Sequence, residues 1–296
     1  MKTVRTSDIF LTAIAPILWG TTYLVATEFL PPDHPLLVAA LRSLPIGLLM
    51  TLTLRQLPQG IWWWRILLLG SLNIGIFQAL LFVAAYRLPG GVAATVGAIQ
   101  PVLVILFARI LLQEKASKLS MTAAIAGVGG VGLLVLNPKA RLDMVGIGAA
   151  IAGAVAMGLG TVLIQRWQRP VSILVFTAWQ LTVGGMVLLP IALIVEEPIT
   201  NLSTANLGSL IYLGLIGTGF AYVLWFRGID KLNAAAISSL GLISPLVATL
   251  IGFVFLHQTL TPLQLIGMAI TLISVFLGQT NRPQHSLKKP RNLRRL

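Results

Sequence analysis

No cysteine occurs among the 296 residues, so disulfides and thiolate metal sites are excluded. Acidic side chains are almost as scarce: eight Asp and Glu stand against 21 Lys and Arg. Charged residues make up 10% of the chain, whereas a water-soluble domain carries roughly a quarter. A surface facing water cannot be built from so few. With 56% hydrophobic residues and a mean hydropathy of +0.90, most side chains must face lipid or one another. The histidines, His34, His257 and His285, lie far apart, and no metal site is implied. HExxH, GxSxG and phosphate-cradling patterns are missing, and the apolar runs hold no acid/base pair, which argues against an enzyme and against a cofactor. The GxGxxG pattern at 127–132 follows no strand and reads as close helix packing. The net charge of +13 is dispersed between apolar runs and in one short tail, with no continuous basic face, so nucleic acid is not an expected partner.

What is present is apolar length. Crossing ~30 Å of hydrocarbon takes about 20 mostly apolar residues. Ten such runs can be marked: 8–28, 35–54, 64–86, 90–112, 120–137, 143–165, 172–195, 207–229, 234–256 and 261–279. In lipid the backbone must satisfy its own hydrogen bonds, so the runs are helices. The first follows Lys2 and Arg5 as a signal peptide would, but it is long enough to cross and reads as a retained span. With the N-terminus in the cytoplasm, 17 of the 21 basic residues fall on the cytoplasmic side. Arg87, Lys139 and Arg141 fall outside, and Arg42 lies within a span. Such a bias predicts a multi-pass protein of the inner cell membrane with both termini cytoplasmic. Trp62, Trp63 and Trp64 read as an interfacial belt, and the basic tail 281–296 as an anchor to anionic lipid.

The two halves of the chain resemble each other. Segment 65–136 aligns on 209–280 at an offset of 144, placing Gly70 on Gly214, Gly75 on Gly219, Gly97 on Gly241 and Pro101 on Pro245. The first two runs match runs six and seven at an offset of 138, with Gly20 on Gly158 and Gly47 on Gly185. The difference falls in a loop, where a genuine duplication tolerates it. Each half holds five spans, an odd number, so the halves must thread the membrane in opposite senses. The expected fold is all-α: ten transmembrane helices as two inverted five-helix repeats, 1–137 and 143–280, around a central cavity. Inverted repeats are typical of transporters, with the substrate near the midplane between them.

Several motifs carry a family resemblance over residues 8–279. They are Leu18-Trp19-Gly20-Thr21-Thr22-Tyr23, Leu41-Arg42, Gly90-Gly91-Val92-Ala93-Ala94, Pro101 and Glu114. In this order, on a duplicated frame, the chain resembles the EamA family of the drug/metabolite transporter superfamily, and Ile61–Pro101 is similar to its PecM-like branch. The resemblance implies export of amino acids or related small metabolites by alternating access, proton-coupled or facilitative. The branch points to a pigment-type cargo as an alternative. A phosphate-bearing cargo would want several converging Lys or Arg, and a membrane subunit of a biosynthetic or regulatory system is the reading from another class. Gln258 departs from the pattern where the first half has Glu114.

Polar side chains inside spans face the bundle rather than lipid. Pro101 and Pro245 each remove the bond to the carbonyl four residues earlier, that of Gly97 and of Gly241, which predicts a kink, an exposed acceptor and a gating role for all four. Gln100 and Ser244 sit beside them. Trp19 and Tyr23 form a stripe with Thr12 and Pro16; Tyr222 and Trp225 form another with Thr218, and the repeat sets Gln78 opposite Tyr222. Trp179 adds a further ring beside Gln180. These side chains are candidates for substrate binding, and equally for packing. Arg42 either pairs with a carbonyl or snorkels outward, or it holds a substrate carboxylate through two parallel donors. The acidic residues all lie at span ends or in loops, which leaves Glu114 as a possible coupling group or an ion-pair partner of Lys115 or Lys118. Spans five and ten are rich in small residues, so the chain is expected to be a monomer or a homodimer.

Overall fold

A computed structural model describes residues 5–31, 34–88, 96–114, 116–135, 143–197, 199, 201–255 and 260–280. Among these, all regular secondary structure is helical. The first half contains α1 (Thr6–Phe29), α2 (Pro35–Leu54), α3 (Trp62–Gly70), the π-helical segment π1 (Ser71–Ile76), α4 (Phe77–Arg87), α5 (Gln100–Leu111) and α6 (Lys118–Val135). The second contains α7 (Met144–Trp167), α8 (Ile173–Val195), α9 (Thr204–Gly214), π2 (Leu215–Phe220), α10 (Ala221–Lys231), α11 (Ala234–Leu240), α12 (Ile243–Phe255) and α13 (Pro262–Thr280).

Among the described residues, seven stretches are long and apolar enough to cross a membrane: Pro35–Leu54, Trp62–Ala84, Met144–Trp167, Ile173–Val195, Thr204–Lys231, Ala234–Phe255 and Pro262–Gln279. Two more, Gln100–Leu111 and Lys118–Leu134, are apolar but shorter, and the start of the expected fourth span lies outside the described residues. The protein is thus a multi-pass membrane protein.

Two helices carry a π segment that hydropathy did not announce. A π segment inserts one residue into an α-helix and shifts the hydrogen-bond ladder. The amide of Ser71 donates to the carbonyls of Leu67 and Leu68, and the amide of Leu215 to those of Ile211 and Tyr212. Both segments span six residues, and π1 maps on π2 at the offset of 144.

The prolines act differently from expectation. Instead of a kinked continuous helix, turns at 98–99 and 241–242 interrupt the chain, and α5 opens with Pro101 in its first turn. There a missing N–H leaves nothing unsatisfied, and the fixed φ suits a helix start. The Gly241 carbonyl, expected to stand open, is taken by the amide of Ser244 at 3.2 Å. Skipping the bond to residue 245 simply tightens the turn.

Glycines mark where backbones meet. A Cβ on Gly47 would lie 2.5 Å from the Thr182 amide nitrogen, and one on Gly185 would lie 2.7 Å from the Leu44 Cα, so α2 and α8 cross in direct contact. Likewise a Cβ on Gly130 would lie 3.0 Å from the Gly267 carbonyl, and one on Gly267 would lie 2.6 Å from that of Gly130. Gly130 and Gly267, two of the small residues in these spans, are thereby used within one chain, between α6 and α13, whereas a Cβ on Gly129 would have nothing within 4 Å.

At the helix ends, polar contacts tie specific neighbours. Asp8 pairs with Arg227, and Arg169 with Asp230 at 2.6 Å. Gln165 donates to the carbonyls of Ile229 and Leu232, and Arg65 lies over the rings of Trp62 and Trp167. At other ends Glu196 accepts the amides of Leu36 and Leu37, Asn206 donates to the Phe29 carbonyl, and Arg87 meets Asp143 at 3.5 Å. Asp143 also caps α7; the Gly146 amide, with nearby Arg87, holds its carboxyl below the ordinary carboxylate range. Trp63 and Trp64 are exposed, whereas Trp62 packs edge-on against Phe176.

Candidate functional site

Arg42 lies in α2, eight residues into the helix, and is only 5% exposed. It does not reach out to an interface. Its Nε donates to Thr218 Oγ1 at 2.8 Å and its Nη2 to the Gly217 carbonyl at 3.1 Å. That carbonyl is within reach because of π2: the Ala221 amide donates to the carbonyls of Ile216 and Thr218 and passes over Gly217 between them. Trp19 Nε1 donates to the same oxygen at 3.1 Å. One backbone acceptor therefore joins α1, α2 and π2.

The predicted aromatic stripes of α1 and α10 meet at this point. The ring of Trp19 lies 5.2 Å from that of Tyr222 and 5.1 Å from that of Trp225, and Tyr222 continues onto Phe226 at 5.3 Å. Tilted contacts of this kind suit the ring quadrupoles. Gln78, in α4, is buried beside Tyr222. Gln78 is close enough to interact with the Tyr222 side chain, yet neither its Nε2 nor its Oε1 makes a hydrogen bond of good geometry, and neither does Trp225 Nε1. Buried donors and acceptors normally have partners, so such atoms call for an explanation. Tyr23 belongs to α1, but its side chain lies outside the described residues.

A second polar contact went unnoticed in the sequence. Asn73 of π1 donates from Nδ2 to Gln180 Oε1 of α8 at 2.8 Å, and both residues are fully buried. Asn73 stands at the offset of 144 from Gly217, and Gln180 at 138 from Arg42. The same crossing thus occurs twice, once with a guanidinium on a carbonyl and once between two amides. Reading Arg42 across the offset would have found it. Gly160 makes room, since a Cβ there would lie 2.1 Å from Asn73 Oδ1.

Other predicted residues sit elsewhere. Trp179 Nε1 donates to the Gln56 carbonyl at 2.6 Å, in the connection after α2, and not to the Arg42 group. Ser244 belongs to the α1–α12 contact, where its carbonyl lies 2.9 Å from a Cβ placed on Gly20. Gln100 is half-buried at the start of α5. Gly241 faces Trp225, whose Cη2 lies 3.9 Å from a Cβ placed there, whereas Gly97 has nothing within 4 Å. Glu114 follows α5, its amide bonded to the Ala108 carbonyl at 3.3 Å. Lys115, the segment 89–95 and the tail 281–296 lie outside the described residues.

The profile of a family described as the EamA-like transporter family matches this chain twice, over residues 6–136 and 144–278. The chain is 45% identical over 268 residues to "Protein PecM" of Dickeya dadantii (strain 3937), covering 90% of each. It is 28% identical to the "Uncharacterized inner membrane transporter YedA" of Escherichia coli (strain K12), covering 88% of this chain and 87% of that protein. A solved crystal structure superposes with a TM-score of 0.79 over 93% of this chain and 98% of its own; at 21% identity this is a likeness of fold.

Proposed function

Because the chain belongs to the EamA-like transporter family of the drug/metabolite transporter superfamily, a family of membrane transporters, we propose that it exports amino acids or related small metabolites from the cytoplasm by alternating access. The observation that carries the reading is the buried Arg42. Its guanidinium rests on neutral acceptors, Gly217 O and Thr218 Oγ1, within a group of aromatic rings and beside the unpartnered amide of Gln78. An intramembrane cation that no described carboxylate neutralises is a functional-site signal by default, and a substrate carboxylate is its natural complement.

Two features support a ten-span threading in which the halves, 1–137 and 143–280, are inverted repeats. The π segments and the Arg42/Gln180 crossings recur at the repeat offsets. The polar contacts at the helix ends join ends that this threading sets on one side. Asp8–Arg227, Arg169–Asp230 and Trp179–Gln56 fall on the cytoplasmic side; Glu196–Leu36, Asn206–Phe29 and Arg87–Asp143 fall outside. In this reading the protein lies in the inner membrane with both termini cytoplasmic, and the tail 281–296 holds to anionic lipid. The printed name of the E. coli relative supports the compartment.

A facilitative mode is favoured over proton coupling. Asp8, Asp143 and Asp230 are engaged by arginines, and Glu196 caps α2. Purified protein in liposomes should move labelled amino acids or their derivatives down a gradient without an imposed pH difference. No flux across a broad metabolite panel would refute the reading.

A further inference from the structure

From the charge balance around Arg42, and resting on its reading as the substrate site, we infer that this site selects net monoanionic carboxylates whose nitrogen is uncharged, such as N-acylated amino acids, over zwitterionic amino acids. Arg42 is the only basic residue well inside a span. Of the eight acidic residues, seven are described and none reaches its guanidinium; the eighth, Asp33, lies outside the described residues. Among the described residues, the surroundings of Arg42 therefore supply one positive charge and no negative one.

Closing protein around a charge is costly unless that charge is paired. A monoanion leaves the closed site neutral. A zwitterion satisfies Arg42 with its carboxylate but brings an ammonium that finds no carboxylate and feels the guanidinium at short range. The aromatic rings offer it little, because Trp19 already packs against both Tyr222 and Trp225. An acylated nitrogen removes the surplus charge. It also presents an amide N–H and C=O, which complement Gln78 Oε1 and Nε2, two of the buried atoms left without a hydrogen-bond partner.

The test uses tryptophan in its four charge forms: the free amino acid, its N-acetyl derivative, its amide and the N-acetyl amide, with phenylalanine and N-acetylphenylalanine as a second pair. Binding is measured by calorimetry on the purified protein in nanodiscs, and uptake in proteoliposomes. N-acetyltryptophan and N-acetylphenylalanine are expected to bind about tenfold or more tighter than their parents, and the neutral and cationic forms no tighter than the parents. Arg42→Gln, which sets here the amide that Gln180 already presents in the other half, should erase the preference, and Arg42→Lys should keep it. Gln78→Met should weaken the acetylated acids several-fold while leaving thermal stability unchanged or raised, the reverse of a purely structural role.

Parents that bind as tightly as their acetyl derivatives, or acetyl derivatives that do not bind, overturn the inference, and the wild-type protein alone decides this. If the parents are nevertheless transported, the amino-acid exporter reading stands without it. If nothing on the panel moves, that reading fails as well.

Discussion

Arg42 and Trp19 share one oxygen, the carbonyl of Gly217, and so depend on each other. Trp19→Phe keeps a ring against Tyr222 and Trp225 but removes the indole N–H. A loss of about 1 kcal/mol is expected, seen as a fall of a few degrees in thermal unfolding, because a single buried hydrogen bond nets about that much. Gly160 is a sharper case. Alanine there would drive into Asn73 Oδ1, and either the Asn73–Gln180 bond breaks or α7 moves away. Overpacking of this kind costs about 1–3 kcal/mol, so Gly160→Ala should lower the unfolding temperature, whereas alanine at Gly148, which has nothing within 4 Å, should not. Arg42, Trp19, Gln78, Tyr222 and Trp225 were legible in the sequence as polar or aromatic residues in apolar runs, which lipid cannot serve. Trp179 looked the same, yet its N–H is served by the Gln56 carbonyl. Residue type alone cannot say which partner lies within hydrogen-bonding reach.

Among the elements, the π segments are what hydropathy could not see, since one extra residue in a helix leaves the composition apolar. Their effect is rotational. Each added residue turns the downstream part of the helix by about 100° about its axis. Deleting Ile216 should return π2 to α-helix and swing Tyr222 and Trp225 away from Trp19. The expected outcome is loss of transport in proteoliposomes with little change in helical content by circular dichroism; retained transport would mean that π2 sets no part of the site. The glycines at Gly70, Gly75, Gly214 and Gly219 were the available hint. A Cβ on Gly70 would lie 3.0 Å from the Gln180 carbonyl, and one on Gly214 would lie 3.5 Å from that of Arg42, so both π helices lean on the helix that supplies the buried polar residue. The turns before Pro101 and Pro245 were anticipated as kinks because proline forbids one bond, but the sequence could not say that the chain would close a tighter turn instead.

For the molecule as a whole, the proposed threading can be tested by cysteine labelling without first preparing a cysteine-free background, because the chain has no cysteine to remove. A membrane-impermeant maleimide added to intact cells should label Glu197→Cys and Asn201→Cys, and should reach Gln59→Cys and Arg166→Cys only after permeabilisation. Labelling of Gln59→Cys and Arg166→Cys from opposite sides would refute the ten-span arrangement. Composition, periodic apolar length and the spacing of basic residues determined by themselves that this chain is helical and lives in a membrane, and its motifs carried the family. They could do so because lipid acts on each segment separately: a run of residues either satisfies the bilayer or does not, wherever its neighbours lie. Which buried groups meet was decided only by the tertiary structure. The Arg42–Gly217–Trp19 junction and the Asn73–Gln180 pair join residues more than a hundred positions apart. They exist because glycines let α2 and α8 approach to backbone contact and because a shifted helical ladder turns one carbonyl toward the crossing. Contacts of that kind depend on several helices at once, and no single stretch of the chain encodes them.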